Sequence, residues 1–422
     1  MASASKWQPR LSLSAINPDY QPSSSSRSRS SSPSKMALKK SLSRAFAAAW
    51  PPATISRSRT PLHDGTFTIK LSNAYREYRP NANPEENYDS MVQYIKEMSQ
   101  KKEADLATCE QLADAIVSGL IEVVFGSNAI EVVGGDIRIT FRLCRQVFEG
   151  QVPNVEDIQE RSEEYAQELQ ALSASGRATD LQSVLRSRRE IVQHALAAKF
   201  LLDTIVLKDI PLDEDIIKET HRILMCFSEH EASGDIYRES DEAASHGLRL
   251  ETDEEYEKRV KDCKRLKPDR PAPERKEVPL FSSKFVRGKS VQLYMRKLVD
   301  EHNERIKRAE ETRDIDAIDL ACRLSTGFVC IHPFEDGNGR VCRLLLNAMI
   351  IKYAGTVAEI GGDPEEREEY IREAWMANTT FRDEDQRDIP WTEQTAHLSL
   401  GISILEKVTV RMRRTRDKLL GK

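Results

Sequence analysis

Two apolar segments on either side of a short glycine-rich loop constrain the fold of this chain more than any other feature. The segments run from Ala317 to Cys330 and from Arg343 to Tyr353, and the loop between them contains Gly337 and Gly339. Apolar segments of this length favour helices over strands. The sequence therefore predicts two apolar helices joined by a glycine-rich loop.

The chain from about residue 85 onwards also has a helical pattern. Between Leu106 and Phe125, apolar side chains recur at spacings of three and four residues, which is typical of a helix with one buried face. Further helices are predicted at Ile191–Leu207, Asp215–Met225 and Glu393–Arg414. Strand signals are few and short, so we predict a mainly α fold.

Residues 1–60 differ in composition from everything that follows. The segment is rich in Ser and contains Arg, Pro and Lys throughout, and Asp19 is its only acidic residue. Such a segment buries too little apolar surface to fold alone, which predicts a disordered tail. The alternative is an organelle-targeting segment, because Met36 to Trp50 is basic, acid-free and weakly amphipathic. That stretch does not begin the chain, so we favour the disordered tail.

Composition excludes several classes of partner and cofactor. The net charge of −5 leaves no basic footprint of the kind that nucleic-acid binding requires. The seven cysteines are scattered and form no Cys-x-x-Cys pair, which predicts reduced thiols, no zinc site and a cytoplasmic or nuclear location. No uninterrupted apolar stretch approaches the length of a membrane span, so we expect no transmembrane helix.

The loop between the two apolar helices combines residue types that suit a site for nucleotide phosphates. A glycine-rich turn that leads into a helix gathers backbone N–H groups and the positive helix end at one point, a geometry that binds anions. Arg340 and Arg343 can both face this loop, and guanidinium groups suit phosphate oxygens. Asp336 is a hard oxygen ligand for Mg²⁺. His332 titrates near neutral pH and can accept a proton from an attacking hydroxyl.

This stretch resembles the motif HxFx(D/E)GNGRxxR of the Fic (filamentation induced by cAMP) domain family, which has the Fic/Doc fold. All eight specified positions match, namely His332, Phe334, Asp336, Gly337, Asn338, Gly339, Arg340 and Arg343. The resemblance implies a helical bundle of the Fic type with a short β-hairpin flap beside the active site. It also implies a protein adenylyltransferase, which transfers AMP from ATP to a Ser, Thr or Tyr hydroxyl of a target protein and releases diphosphate.

The resemblance further implies a role for each motif residue. His332 would deprotonate the target hydroxyl, and Asp336 would hold Mg²⁺ on the α- and β-phosphates of ATP. Arg340 and Arg343 would contact the β- and γ-phosphates, while Phe334 would anchor the loop in the core. The anion cradle would consist of Gly337, Asn338 and Gly339.

Three segments outside the motif resemble other parts of this family. A G-x-Y-R stretch that precedes the target-docking flap is matched, with one extra residue, by Gly234, Tyr237 and Arg238. We place the flap hairpin at Val278 to Lys284. The segment Tyr370 to Asn378 resembles the helix that covers the adenine, with Asn378 at its polar end.

A fourth segment resembles the inhibitory motif [S/T]-x-x-x-E-[G/N] of Fic proteins. Ser127 and Glu131 match it, whereas Val132 stands where Gly or Asn is expected. A carboxylate at Glu131 can form a bidentate pair with Arg343, which would make that arginine unavailable to the γ-phosphate. The resemblance therefore implies an autoinhibited enzyme.

Two alternatives to AMP transfer stay open at this point: removal of AMP from a modified target, and a catalytically silent nucleotide-binding regulatory protein. A homodimer is also left open. The expected organisation is the tail at 1–60, an N-terminal helical region with the inhibitory motif at 85–190, and a catalytic core at 191–415. The core carries a charged insertion at 251–276.

Overall fold

A computed structural model of the chain describes residues 41–48, 83–104, 106–226, 236–266, 271, 273–312 and 315–421. Within these residues the protein contains thirteen α-helices and one pair of antiparallel strands, which confirms the predicted mainly α fold with a short hairpin. The helices are α1 (Leu42–Ala48), α2 (Pro84–Ala104), α3 (Leu106–Ile130), α4 (Ile137–Phe148), α5 (Glu163–Ala174), α6 (Leu181–Leu201), α7 (Glu214–Met225), α8 (Asp253–Leu266), α9 (Val291–Thr312), α10 (Ala317–Ile331), α11 (Asn338–Ala354), α12 (Pro364–Gln386) and α13 (Leu398–Leu420). The strands are β1 (Ala243–Leu250) and β2 (Glu277–Lys284).

The two helices that flank the glycine-rich loop, α10 and α11, form the centre of the molecule. They pack against each other, and α10 also contacts α9, α12 and α13. Helix α11 contacts α3, α6 and α7 on its other sides, which explains why almost all of its side chains are buried. A helix that is apolar all round needs such a central position, since no face can be left to water.

Helix α3 brings the predicted inhibitory motif to this centre. It is long and apolar enough to cross a membrane by length and composition alone, but most of its apolar window is buried inside the protein. It packs against α1, α4, α6 and α11. A buried core helix passes the same test of length and composition as a membrane span, so α3 is weak evidence for a membrane segment.

The N-terminal helix α1 corrects part of the predicted disordered tail. Leu42 and Phe46 lie one helical turn apart, are 2% and 0% exposed, and belong to the main hydrophobic core. The prediction of disorder is wrong for residues 41–48, because this face packs against α3. Residues 1–40 and 49–60 of the predicted tail lie outside the described residues.

The domain boundary predicted between residues 190 and 191 falls inside helix α6, which runs unbroken from Leu181 to Leu201. One hydrophobic core cluster includes side chains from α1 through to α13. The helical region that carries Ser127 and the helices around the glycine-rich loop therefore share a core.

The predicted flap segment Val278–Lys284 lies within β2, which pairs with β1 to form the hairpin. The register places Ala243 opposite Lys284 at one end and Leu250 opposite Glu277 at the other. The charged insertion 251–276 connects the two strands and contains helix α8. Trp375 of α12 donates a hydrogen bond from Nε1 to the carbonyl of Ser282 at 3.2 Å, which fixes β2 against the helical body.

Candidate active site

The loop between α10 and α11 begins and ends with a residue in the left-handed backbone region. His332 follows the last residue of α10 with a φ of 55°, and its N–H donates to the carbonyl of Phe328 at 2.9 Å. Gly337 precedes α11 with a φ of 79°. A side chain at position 337 would be strained by this φ and would also meet Met225 Sδ at 2.9 Å. Glycine is therefore required here for both backbone and packing reasons.

Arg238 holds the first half of this loop in place. Its side chain is buried, and its guanidinium donates to the carbonyls of Val286 at 2.6 Å and Ile331 at 3.0 Å. A further bond runs from its Nε to the carbonyl of His332, and its backbone N–H donates to the carbonyl of Pro333 at 2.9 Å. Three consecutive loop carbonyls are thus satisfied by one residue, which explains how the left-handed turn at His332 is maintained.

These contacts correct the docking role predicted for Arg238. A buried guanidinium whose donors bond backbone carbonyls organises the loop and has no surface to offer a target protein. Tyr237 is half-buried, with its ring 5.5 Å from the Phe334 ring and Lys218 Nζ 4.4 Å above it. Its docking role stays a prediction. Gly234 lies outside the described residues.

Phe334 anchors the middle of the loop in the core. It is fully buried and stacks on the His221 ring, with centroids 3.7 Å apart and planes 5° apart. His221 in turn contacts the carbonyl of Asp336 through Nε2 at 2.8 Å. The Asn338 side chain is 1% exposed and bonds both the N–H and the carbonyl of Phe334. Because this amide is used inside the loop, only the backbone N–H of Asn338 remains for an anion.

The His332 ring is surrounded by two residues that motif matching did not identify. Phe285 stacks on it with centroids 3.8 Å apart and an interplanar angle of 8°. Glu242 places Oε2 3.1 Å from His332 Nδ1, and Asn338 places Nδ2 at 3.1 Å from the same nitrogen. The sequence signal that could have found Glu242 is its position four residues after Arg238, directly before strand β1.

Asp336 and Arg340 lie together at the open side of the loop. The Asp336 side chain is 51% exposed, and its Oδ2 lies 3.4 Å from Arg340 Nη2. The Arg340 guanidinium is buried, and its Nε has no hydrogen-bond partner among the described residues. An exposed carboxylate beside a buried donor that lacks an acceptor fits a site that receives a phosphate oxygen and a cation together.

The same region fits a magnesium ion that is shared with a nucleotide. In the described part of the chain, no group of three His, Cys, Asp or Glu side chains is placed to hold a metal ion. Mg²⁺ commonly binds through one or two carboxylates, substrate phosphates and water. Asp336 can supply the carboxylate, so the residues present fit a metal that arrives with ATP.

The residues of the predicted anion cradle lie at the start of α11, and the Glu131 carboxylate lies against them. Gly337 provides no side-chain cap for this helix, so the N–H groups of the first turn receive no acceptor from the residue that precedes the helix. A Cβ at Gly339 would collide with Glu131 Oε1. The carboxylate thus occupies the positive end of the helix, where an anion is most stabilised.

Arg343 connects α11 to the end of α3. Its Nη2 donates to Glu131 Oε1 at 2.5 Å and to the carbonyl of Ser127 at 3.1 Å, while its Nε donates to Ser127 Oγ at 2.8 Å. The structure therefore replaces the expected bidentate pair by one bond to Glu131 and two to Ser127. Burial disfavours the charged guanidinium, but the neighbouring Glu131 carboxylate raises the pKa of Arg343 above its usual value. Arg343 is thus a buried cation that bonds Ser127 and Glu131 and lies 5.6 Å from the centre of the Tyr370 ring on α12.

The backbone conformation at Val132 is one that suits Gly or Asn, the residues that the inhibitory motif has at this position. Helix α3 ends at Ile130, and Val132 has a φ of 54°, in the left-handed region that favours glycine. Its N–H donates to the carbonyl of Ala129 at 3.3 Å, and its side chain is 56% exposed. Glycine would adopt this conformation freely, whereas the β-branched Val132 adopts it at a cost in strain.

Asn378 lies on α12. It is 3% exposed, and its Nδ2 is buried without a partner in the part of the chain that the structure describes. Its neighbour is the thiol of Cys330 on α10; burial raises the pKa of that thiol, and the contact with Asn378 opposes the change. Contact of Asn378 with an adenine ring stays a prediction.

A family model agrees with the motif, and several solved structures are similar to the chain. The model of the Fic/DOC family matches residues 211–350, which include α7, the hairpin, α9, α10 and most of α11.

Similar solved structures include a Fic domain-containing signalling protein from Bacteroides thetaiotaomicron, at 16% identity and a TM-score of 0.48, covering 79% of this chain and 97% of that one. Fic-1 from C. elegans matches at 15% identity and a TM-score of 0.43, covering 79% of this chain and 73% of that one. A Fic family protein from Desulfovibrio desulfuricans matches at 15% identity and a TM-score of 0.40, covering 78% and 75%. No curated protein matches the chain.

Proposed function

We propose that this chain, which carries a Fic/DOC family domain at residues 211–350, transfers AMP from ATP to a hydroxyl side chain of a target protein. The observation that carries the proposal is the position of the Glu131 carboxylate on the first turn of α11. A carboxylate held at a helix N-terminus, beside two arginines and an exposed aspartate, marks a site built for a polyphosphate. The base His332 lies at the other end of the same loop.

Binding of ATP would use groups that already face the cradle. The N–H groups of the first turn of α11 would donate to the phosphate oxygens, and Arg340 would gain an acceptor for its unpartnered Nε. Asp336 would hold Mg²⁺, which supplies charge neutralisation to the phosphates when it is bound. These groups are positioned before the substrate arrives, so catalysis would depend mostly on positioning and on electrostatic stabilisation.

The chemical step would begin at His332. Its ring would accept the proton of a Ser, Thr or Tyr hydroxyl of the target, and the oxygen would attack the α-phosphorus of ATP. The bond from that phosphorus to the bridging oxygen would break, and diphosphate would leave. The hairpin that ends beside His332 would position the target, because a strand edge can bind an extended segment through main-chain hydrogen bonds.

Glu131 would inhibit this reaction by holding Arg343 and by occupying the anion site. Its carboxylate and a γ-phosphate cannot both lie against Gly339, and each would bond the same guanidinium. ATP would then bind weakly or in a pose that does not align the α-phosphorus with the target hydroxyl. A coupling of this kind between two occupants of one site is typically worth about 5- to 150-fold.

The test uses the full chain with Mg²⁺ and α-labelled ATP, and follows the label on protein. We expect weak labelling in the wild type, labelling about 5- to 150-fold stronger in Glu131→Gly, and none in Glu131→Gly with His332→Ala. Glu131→Gln separates loss of charge from loss of the side chain. Glu122→Gly is the control, since Glu122 lies on α3, the helix that Glu131 directly follows, but bonds Arg411 instead of the site.

Each outcome decides between specific functions. Equal labelling in the wild type and in Glu131→Gly, abolished by His332→Ala, would keep the transferase and remove the inhibition. Absence of label from every variant, with ATP binding intact, would overturn AMP transfer in favour of AMP removal or of a silent nucleotide-binding regulator.

A further inference from the structure

The base of the hairpin, which consists of Glu242 and Phe285, fixes the ring of His332. Glu242 directly precedes β1 and Phe285 directly follows β2. The N–H of Phe285 donates to the carbonyl of Glu242 at 3.2 Å, which extends the strand pairing beyond the hairpin itself. Phe285 stacks in parallel on the imidazole at 3.8 Å, so the plane of the ring is set by the hairpin.

Two side chains with opposite requirements meet at Nδ1 of His332. Glu242 Oε2 lies at 3.1 Å and, as a carboxylate, can only accept a hydrogen bond from an Nδ1–H group. Asn338 Nδ2 also lies at 3.1 Å and, as an amide NH₂, can only donate to a lone pair on Nδ1. A neutral imidazole can satisfy one of these two neighbours but not both.

The Asn338 amide cannot resolve this conflict by turning over. Its Oδ1 accepts from the N–H of Phe334 at 2.9 Å, and its Nδ2 donates to the carbonyl of Phe334 at 2.7 Å. Exchange of the oxygen and nitrogen would oppose both bonds in a buried environment. The second hydrogen of this NH₂ group is therefore the one that competes for Nδ1.

We propose that Glu242 is a positioning residue that holds the Nδ1–H form of His332 and so leaves Nε2 free to act as the base. The opposite tautomer, favoured by Asn338, carries its proton on Nε2 and cannot accept one from a hydroxyl. This inference rests on the proposed transferase activity. It assigns the hairpin base a role in the reaction that is separate from any contact with a target.

The surroundings of Glu242 favour this arrangement. Arg238 Nε lies 3.6 Å from the same oxygen, so a buried positive charge holds the carboxylate towards the ring. The side chains of Glu242 and His332 are 22% and 19% exposed, which limits screening of their interaction by water. When the ring accepts a proton at Nε2, the carboxylate also stabilises the imidazolium that forms.

The tautomer can be read directly by ¹⁵N NMR on the full chain labelled at its histidine rings, with His332→Ala used to assign the signals. We expect Nδ1–H in the wild type and a shift towards Nε2–H in Glu242→Gln. Glu239→Gln is the control, because Glu239 is exposed in the same segment. A wild-type ring with its proton on Nε2, or a tautomer that is unchanged in Glu242→Gln, would overturn the proposal.

A second experiment measures the kinetics of AMP transfer, with the same substitutions placed in the Glu131→Gly variant. We expect Glu242→Gln to lower kcat about 10- to 100-fold with little change in the KM for ATP, and Glu242→Asp to recover part of the loss. An unchanged kcat despite a changed tautomer would remove the role in the reaction. If Glu131→Gly itself transfers no AMP, the proposed function fails, while the NMR result still decides whether Glu242 controls the tautomer.

Discussion

Two helices end near the predicted anion cradle, and each is followed by a residue other than glycine in the left-handed backbone region. At the end of α10, His332 has a φ of 55°, and at the end of α3, Val132 has a φ of 54°. The turn at His332 is buried and is bonded by Arg238 through several loop carbonyls. The turn at Val132 is exposed and is bonded by its own helix, with N–H to carbonyl distances of 3.3 Å and 3.0 Å.

The difference shows that the same backbone strain has different consequences in the two places. A residue in an unfavourable conformation persists when the structure around it allows no other. Around His332, the hydrogen bonds from the buried Arg238 to the loop carbonyls hold the backbone in this one conformation. Around Val132 a left-handed β-branched residue costs about 1–2 kcal/mol, with few contacts to offset it. The end that carries Glu131 is therefore the softer of the two, so the inhibition that we propose for Glu131 would be released while the loop at His332 stays ordered.

The largest effect is expected from removing the network that holds the rigid end. Arg238→Met would leave the carbonyls of Ile331, His332 and Val286 unpaired in the interior. We expect the free energy of unfolding to fall by about 3–5 kcal/mol, measured by chemical denaturation. Arg387→Met is the matched control, since Arg387 forms an exposed pair with Asp383 that is worth at most about 1 kcal/mol. Similar losses in both variants would contradict the comparison.

An intermediate effect is expected where the end of α3 contacts Arg343 of α11. Ser127→Ala removes the hydroxyl that accepts from Arg343 Nε at 2.8 Å in a fully buried position. We expect a loss of about 1–3 kcal/mol in stability, because a buried donor is left unsatisfied. AMP transfer should rise above the wild type but stay below Glu131→Gly, since the carboxylate remains in place. Unchanged transfer would show that Ser127 does not help to hold Arg343 away from ATP.

The smallest effect is expected from relieving the strain at the soft end. Val132→Gly permits the left-handed φ without a Cβ penalty, but it also adds freedom to the unfolded chain. The net expectation is a gain of about 0.5–1 kcal/mol in stability and a lower basal rate of AMP transfer, measured by thermal unfolding and by the labelling assay.

Asp388→Gly provides the control for this experiment, because Asp388 has a φ of 53° in an exposed turn after α12. Its substitution should change stability without changing AMP transfer. A rise in transfer in Val132→Gly would reverse our assignment of the softer end.

The parts of the site that could be predicted from the sequence are those encoded within a few consecutive residues. The loop from His332 to Arg343 specifies its own geometry through Gly337 and the Asn338 amide, so a motif match identified it. The contact of Glu131 with Arg343 was also predicted, although its geometry was not, because Ser127 takes two of the guanidinium bonds.

The residues that were missed depend on tertiary contacts. Glu242 and Phe285 meet His332 only after the two strands pair across the charged insertion. Arg238 was assigned to docking because its burial depends on the path of the loop that it bonds. The packing of α1 was missed because Leu42 and Phe46 are two apolar residues in a basic, serine-rich stretch, too few to predict a buried helix.

The length of the charged insertion affects the entropy cost of closing the hairpin. The hairpin is closed by 26 residues, from 251 to 276, and ideal-chain entropy makes such a closure about 2 kcal/mol less favourable than a two-residue turn. Contacts within the insertion reduce the length of free chain that has to be closed. Glu251 accepts hydrogen bonds from Arg259 and from the backbone N–H of Lys276, and the Arg275 guanidinium lies over the Tyr256 ring. Once these contacts join the strand ends, residues beyond them add almost nothing to the closure entropy. The end of the hairpin that is distant from His332 can thus vary in length, and could accept an inserted reporter. The positions of Glu242 and Phe285 against the imidazole of His332 would stay the same.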